Sequence, residues 1–370
     1  MSRLSLVPSP IAELPWRMLW LVIAIVGFAL LVLYSAAGAS LMPWALPHGA
    51  RFAIFLAMAV TMSRMRTERL KQAAFPAYGI VLVMLLLVEA LGFVGGGAQR
   101  WLDLGIIRLQ PSELMKPVIV LTVARFYDLL PAGEIRRWNA IWPAAALIGV
   151  PAALILIQPD LGTATMVAAG GLTVMFLAGL PLRLFLGGAA ILGVVGPVAF
   201  SMLHEYQQRR VLIFLDPAAD PLGAGYHISQ SKIAIGSGGI FGKGFLNGTQ
   251  SHLDYLPEGH TDFIFATMAE EWGLMGGLFL IVCYALLIRW GIGVALDARS
   301  RFNRLSAAGL TTTIFFYVAI NLMMVMGLAP VVGIPLPLVS YGGSAMLTIM
   351  LCLGALMSID RDNRRDRGRR

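Results

Sequence analysis

Long hydrophobic runs recur along this chain of 370 residues and are separated by short polar segments. A run of about 20 apolar residues is the length that crosses the hydrocarbon core of a bilayer as an α-helix. The pattern therefore predicts an all-α integral membrane protein, a single polytopic domain over residues 1–370 with about ten transmembrane helices. The predicted helices span residues 17–37, 44–63, 73–94, 112–127, 138–158, 163–180, 184–203, 262–296, 305–329 and 342–359.

The basic residues divide unequally between the two sides of this arrangement. Twenty of the 28 Lys and Arg residues fall in the termini and in the loops on their side. Because cytoplasmic loops carry the excess of positive charge, both termini are predicted to be cytoplasmic. The large loop 204–261, between helices 7 and 8, then faces outward, and residues 360–370 form a basic cytoplasmic tail. The net charge of +8 thus reflects topology, and it does not indicate nucleic-acid binding.

A carboxylate stands where the eighth apolar run begins. A polar segment, 255–261, leads into Asp262, and Glu270 and Glu271 follow inside the run. Ionised side chains in a spanning segment are costly unless they face a polar cavity, and they are functional candidates. Aspartate before an apolar run is also a common N-cap. From this residue alone, chemistry and capping both stay open for Asp262.

Two other predicted outward segments carry candidate groups. Pro111 and Ser112 are start signals of a helix that places Glu113 and Lys116 at i and i+3, where they can form an ion pair. Such a pair can line a cavity or serve structure alone. Asp160 lies in a tight turn between two helices. It is another carboxylate on the predicted outer face, and it also suits a turn or a helix cap. Arg108 lies in the same outward segment as Glu113 and joins the candidates.

The two remaining outer loops differ in character. The glycine-rich run 223–248 predicts a backbone that can approach a ligand closely. An uncharged loop carries Ser340, which we interpret as a hydrogen-bonding wall or a helix cap, since no His and Asp partners are evident. Four cations of the large loop are candidates for an anionic lipid headgroup, with ordinary solvated charges as the alternative: Arg209, Arg210, Lys232 and Lys243.

Five motifs, distributed from residue 97 to residue 345, carry a resemblance to a known family. With them the chain resembles the SEDS family (shape, elongation, division and sporulation) over essentially its whole length, and its RodA-type members more than its FtsW-type members. The motifs are GAQRWLDLGIIRLQPSE (97–113), QPDLGT (158–163), DPLGAGYHISQSKIAIGSGG (220–239), HTDFIFA (260–266) and LVSYGGSA (338–345).

The resemblance implies a ten-helix peptidoglycan glycosyltransferase that polymerises lipid II on the outer face of the cytoplasmic (inner) membrane during cell-wall elongation and cell-shape maintenance. It implies work with a class B penicillin-binding protein, the transpeptidase, and with other elongation-complex membrane proteins. Asp262 matches the family's catalytic aspartate. Four further positions match polar residues of the family's outward cavity: Glu113, Lys116, Asp160 and Ser340.

The implied reaction is an inverting displacement with Asp262 as general base. The leaving pyrophosphate needs a cation to stabilise it, and three candidates stay open: Lys116, an outer-loop arginine and a divalent cation such as Mg²⁺ or Mn²⁺. No cofactor is certain. A lipid II flippase or other transporter is the chief alternative function, because it also requires buried charges and a cavity between helices. A non-catalytic scaffold for the partner is the third candidate function, and it would give the charged groups no role.

Overall fold

The computed structural model describes residues 13–95, 98–103, 108–201, 208, 212–213, 224–253, 255–256 and 258–368. Each of the ten predicted segments coincides with a long helix. These helices are α1 (Trp16–Ala36), α2 (Ala45–Ser63), α3 (Thr67–Leu91), α4 (Pro111–Leu129), α5 (Trp138–Ile157), α6 (Leu161–Ala178), α7 (Leu182–Ser201), α10 (Ile264–Asp297), α11 (Arg301–Val325) and α12 (Gly343–Gly368).

Eight of these ten helices are long and apolar enough to cross a membrane. The other two are α7, whose apolar part is the shorter stretch Leu182–Gly196, and α4, which carries four charged side chains. In the bundle, α12 packs along α2, and α4 contacts α3, α6 and α11. Helix α4 is thus an inner helix, which explains how it keeps its charges out of lipid.

Regular structure also forms where the sequence predicted loops. Within residues 204–261, helices α8 (Ala224–Gly238) and α9 (Thr249–His252) lie against the long helix α10. Between α3 and α4, β1 (Phe93–Gly95), β2 (Ala98–Asp103) and β3 (Arg108–Leu109) pair in antiparallel order. Hydropathy did not indicate these elements because each is too short or too polar to resemble a spanning segment.

Helix α10 is interrupted at Gly273, which has a left-handed φ of 63° and a ψ of −157°. The interruption removes helical hydrogen bonds, and the segment after α8 replaces them. Leu274 N–H donates to the Gly239 carbonyl at 2.9 Å, and Lys243 N–H donates to the Glu270 carbonyl at 2.9 Å. The kink divides a helix of 34 residues, and the backbone groups that it frees have partners in the segment after α8.

Two glycines of the run 223–248 have a different role from the predicted one. A Cβ at Gly238 would overlap the Ala269 carbonyl oxygen, and a Cβ at Gly242 would overlap that of Glu271. Both glycines therefore permit close packing of this segment on α10. The prediction that the run brings its backbone to a ligand is wrong at these two positions, because the neighbour there is the protein's own helix.

The two acids inside α10 are satisfied within the protein. Glu270, fully buried, accepts from Lys243 Nζ at 2.6 Å and from the backbone N–H of Thr249 at 2.9 Å. Glu271 accepts a hydrogen bond from the Ser35 hydroxyl. The sequence left Lys243 open between an anionic lipid headgroup and an ordinary solvated charge, and it left the two carboxylates open as cavity groups. In the structure Lys243 is instead the counterion of a buried carboxylate.

Candidate active site

A cavity of about 530 Å³ lies at one end of the bundle, where α4, α6 and α12 begin and α10 is about to begin. Helix N-termini carry partial positive charge and free N–H groups, so this end favours anionic groups of a ligand. Four predicted site residues meet here: Arg108, Glu113, Asp160 and Asp262. The other lining residues are Arg100, Trp101, Gln110, Thr163, Glu258, Thr261, Gly333, Pro335, Tyr341, Gly342, Ser344 and Ala345.

Asp262 precedes the first residue of α10 by two positions. The N-cap position itself is taken by Phe263, whose side chain makes no capping hydrogen bond. A Cβ at Gly333 would lie 3.4 Å from Asp262 Oδ2, so glycine leaves room beside the carboxylate. Asp262 therefore stands just before the N-cap position, and it lines the cavity.

The backbone around Asp262 is held by hydrogen bonds from α11 and from the loop before α12. Asn321 Nδ2 donates to the Asp262 carbonyl at 2.9 Å and to the Ile334 carbonyl at 2.7 Å. The Ser340 hydroxyl donates to the Thr261 carbonyl at 2.7 Å. The carboxylate therefore stands on a backbone fixed on both sides, which preorganises it for a reaction.

Ser340 does not line the cavity. Its buried hydroxyl also accepts the Leu336 N–H at 2.7 Å, so it closes its own loop as well as holding Thr261. The hydrogen-bonding role predicted for Ser340 is observed, but the predicted wall and helix cap are not. Asn321 was missed, because one amide in an apolar run gives no signal of its partner.

Glu113 and Lys116 form the predicted ion pair, with Lys116 Nζ 2.6 Å from Glu113 Oε1. Tyr317 of α11 completes the group: its hydroxyl accepts from Lys116 Nζ at 2.8 Å and donates to the second Glu113 oxygen. Lys116 is only 1% exposed and is absent from the cavity lining, whereas Glu113 reaches the cavity. The sequence left open whether Lys116 contacts a ligand directly. In this geometry its side chain does not reach the cavity, so it makes no such contact.

Asp160 both caps a helix and lines the cavity. Its Oδ1 accepts the Thr163 N–H at 3.1 Å at the start of α6, and its Oδ2 accepts from Gln110 Nε2 at 3.1 Å. The turn before it is held by Arg100, whose guanidinium donates to the Gln158 carbonyl at 3.1 Å and to the Pro159 carbonyl. In the structure Asp160 is therefore both a helix cap and a carboxylate of the cavity wall.

The exposed cation of the cavity is Arg108. Its side chain is 66% exposed and lies 3.5 Å from Asp103. A second cavity, of about 660 Å³, shares Arg108 and Tyr341 with the first and adds Arg51. The Arg51 guanidinium carbon lies 4.9 Å from the centroid of the Tyr341 ring. Two predicted cations, Arg209 and Arg210, lie outside the described residues.

His260 is a further neighbour that the sequence did not single out. Its ring stacks on Trp44 with centroids 4.1 Å apart and planes 8° apart. Burial holds the pKa of His260 below its ordinary value, and the Glu258 carboxylate opposes that shift. A neutral ring can stay stacked on Trp44, which helps fix the segment that leads to Asp262.

The cavity contains no ready-made metal centre among its described residues. In the part of the chain that the structure describes, no three His, Cys, Asp or Glu side chains come together in a group that could hold a metal ion. A divalent cation held by one or two carboxylates together with the pyrophosphate of a substrate stays a prediction.

A helical bundle with a charged cavity at one end defines an integral, multi-pass membrane protein with a ligand site. The family model FTSW_RODA_SPOVE, described as "Cell cycle protein", matches residues 16–365, and the chain belongs to this family. The predicted SEDS resemblance is thereby confirmed.

Similar proteins are known in sequence and in structure. The peptidoglycan glycosyltransferase MrdB of Escherichia coli (strain K12) is 46% identical over 345 residues, 92% of each chain. A chain from "Structural coordination of polymerization and crosslinking by a peptidoglycan synthase complex" superposes with a TM-score of 0.82 at 34% identity, covering 95% of this chain and 98% of that one. The crystal structure of the Thermus thermophilus rod shape determining protein RodA gives 0.72 at 30% identity, covering 95% and 97%.

Proposed function

We propose that this protein is a peptidoglycan glycosyltransferase that polymerises lipid II into glycan strands, with Asp262 as its general base. The observation that carries the proposal is the placement of Asp262: its carboxylate lines the cavity and its backbone is held on both sides. The similarity to the MrdB glycosyltransferase over nearly the whole chain supports the same activity.

The proposed step is one inverting displacement at the anomeric carbon of the polyprenyl-linked sugar. Asp262 takes the proton from the acceptor's 4-hydroxyl group as its oxygen forms the new glycosidic bond. The bond from the anomeric carbon to the pyrophosphate oxygen breaks, and polyprenyl pyrophosphate leaves with the electron pair. The proton then passes from Asp262 to solvent. No second carboxylate nucleophile is needed, because there is no covalent intermediate to form.

Arg108 and Arg51 are the cations best placed to stabilise the leaving pyrophosphate. Arg108 lines both cavities and Arg51 lines the second, so a diphosphate between them would lie where the second cavity adjoins the one that Asp262 lines. Lys116 is a weaker candidate because its ammonium group is held by Glu113 and Tyr317. Arginine suits this task because its planar guanidinium binds phosphate oxygens in pairs.

The proposed active site faces outward from the cytoplasmic membrane. The basic residues of the termini support this orientation, since they favour the side opposite the cavity. Lipid II suits that side because its anomeric pyrophosphate already carries the activation that the reaction requires. A class B penicillin-binding protein is the proposed partner, supported by the similar chain from a complex that coordinates polymerisation and cross-linking.

A flippase for lipid II is the second candidate function. Transporters place their substrate near the bilayer midplane on interrupted helices. Here the cavity lies at the end of the bundle, and the interruption at Gly273 is sealed by the segment after α8. These features favour polymerisation.

The test is reconstitution of the protein with its partner in vesicles that contain labelled lipid II. We expect glycan strands that lengthen with time and require the protein. Transfer of labelled lipid II across the membrane without any glycan product would overturn the proposal in favour of the flippase.

We expect Ser340→Ala to lower the turnover rate several-fold while leaving the KM for lipid II nearly unchanged. The substitution removes the bond that holds Thr261 beside the catalytic carboxylate and leaves the buried Leu336 N–H unsatisfied, at about 1–3 kcal/mol, while the part-buried Thr261 carbonyl loses its partner as well. The measurement is initial-rate polymerisation over a range of lipid II concentrations. Ser358→Ala is the matched control, because its buried hydroxyl bonds Met65 far from the cavity. Equal rates for the two variants would argue against the positioning role.

A further inference from the structure

We propose that the end of the bundle opposite the active site carries a binding site for the headgroup of an anionic phospholipid, held by Arg17 and Arg289. A cavity of about 880 Å³ lies there, between the start of α1 and the last turns of α10 and α12. Helix α10 leads from Asp262 at the active site to Asp297 in the wall of this cavity, so the two sites lie at its opposite ends. The proposal does not depend on the glycosyltransferase activity.

The cavity contains more positive than negative charge. Four arginines and two aspartates line it. Arg364 pairs with Asp360 at 2.6 Å, and Arg367 pairs with Asp297. For Arg17 and Arg289, by contrast, the described residues provide neither an ion pair nor a side-chain hydrogen bond. Within the described part of the chain, two guanidinium groups in one cavity thus have no anionic partner, and phosphate is an anion that arginine binds through paired hydrogen bonds.

The surroundings favour a lipid over a soluble phosphate compound. Trp16 and Trp290 line the cavity, and the neighbouring ring of Trp20 is 62% exposed. Exposed tryptophans are typical of the boundary between membrane and water, where headgroups lie. Leu21 and Leu286 extend the wall toward the apolar part of the bundle, where the first carbons of an acyl chain would lie.

The site is built by contacts between helices and is more than a cluster of surface charges. Asn363 Nδ2 donates to the Val294 carbonyl at 2.9 Å and fixes α12 against α10 within the cavity wall. Arg17, Arg289 and Arg183 are all exposed, but only Arg17 and Arg289 line this cavity. A charge bias that only sets topology requires no cavity. Basic pockets between helices on the cytoplasmic side are a known form of anionic-lipid site.

The experiment uses the purified full chain in neutral detergent and native mass spectrometry with cardiolipin, phosphatidylglycerol or phosphatidylethanolamine. We expect the two anionic lipids to bind in preference to phosphatidylethanolamine. The double variant Arg17→Gln/Arg289→Gln should lose about tenfold or more of that affinity, since each basic side chain near an anionic group contributes several-fold. Arg183→Gln, which removes one exposed charge outside the cavity, should bind as the wild type does.

Other outcomes would overturn the proposal. A several-fold loss in Arg183→Gln, as expected for one removed charge, would mean that the lipid responds only to net charge. Competition by inorganic phosphate at the same concentration as the lipid would identify a soluble phosphate site instead. Arg17→Lys/Arg289→Lys guards against misfolding: it keeps both charges and should retain part of the affinity. The affinity of the lysine variant could fall as far as that of the glutamine variant while helical content stayed at the wild-type value. The two positive charges would then not attract the headgroup, contrary to the proposal.

Discussion

Replacing Asp262 with asparagine is expected to reduce the rate of lipid II polymerisation by about 10²–10⁴-fold, the usual contribution of a positioned general base. Asparagine has nearly the same size and shape, so the cavity and the Asn321 bond to the backbone should remain. It cannot accept the proton of the attacking hydroxyl, which is why the rate falls. The measurement is the initial rate of glycan formation by the purified protein together with its partner.

Glu89→Gln is the matched control for this variant. Glu89 is an exposed carboxylate near the end of α3 and lines neither of the two adjoining cavities. Its loss should leave the rate within about twofold of the wild type, because a remote exposed charge is screened. A wild-type rate for Asp262→Asn would remove Asp262 from the mechanism and direct attention to the other carboxylates of the cavity, Glu113 and Asp160.

Replacing Lys116 with methionine is expected to destabilise the protein by about 3–5 kcal/mol, the cost of leaving one member of a buried ion pair without its partner. Glu113 would then remain as a carboxylate in the bundle with only the Tyr317 hydroxyl as donor. The double variant Glu113→Gln/Lys116→Met removes both charges and should recover most of the lost stability. The free energy of unfolding in detergent, measured with a chemical denaturant, gives the comparison.

Arg125→Gln is the control for Lys116→Met. Arg125 lies on the same helix and pairs with Asp128 at the same i, i+3 spacing, but it is 23% exposed. Asp128 also keeps Lys71 as a second partner at 2.9 Å, so we expect a cost of about 1 kcal/mol or less. If Lys116→Met unfolded no more easily than Arg125→Gln yet lost polymerisation, Lys116 would act on the substrate and the structural assignment would be wrong.

The sequence predicted the long helices because hydrophobic length is a local property. Each spanning run carries its own signal, and the ten predicted segments coincide with ten helices. The elements between them depend on contacts. Helix α8 is polar enough to resemble a loop, and only its packing on α10 accounts for Gly238. That packing also explains Lys243, which looked like a ligand for an anion and proved to be a counterion.

The candidate site was predictable as a set of charges on one face, but not as a geometry. Arg108, Glu113, Asp160 and Asp262 stand in three segments, the last two about a hundred residues apart, and the fold brings them to one cavity. Apart from Ser340, the uncharged residues that hold the site carried no signal in the sequence. Asn321 and Tyr317, for example, lie in an apolar helix and gain their roles from residues on α4 and before α10.

The most direct test of the central claim is to measure lipid II binding and single-turnover polymerisation on the same sample of Asp262→Asn in complex with its partner. If Asp262 is the general base, the variant binds lipid II with the wild-type Kd and forms almost no glycosidic bond. If binding and bond formation fall by the same factor, or if both stay at the wild-type level, Asp262 does not act as the base and the proposed mechanism is wrong.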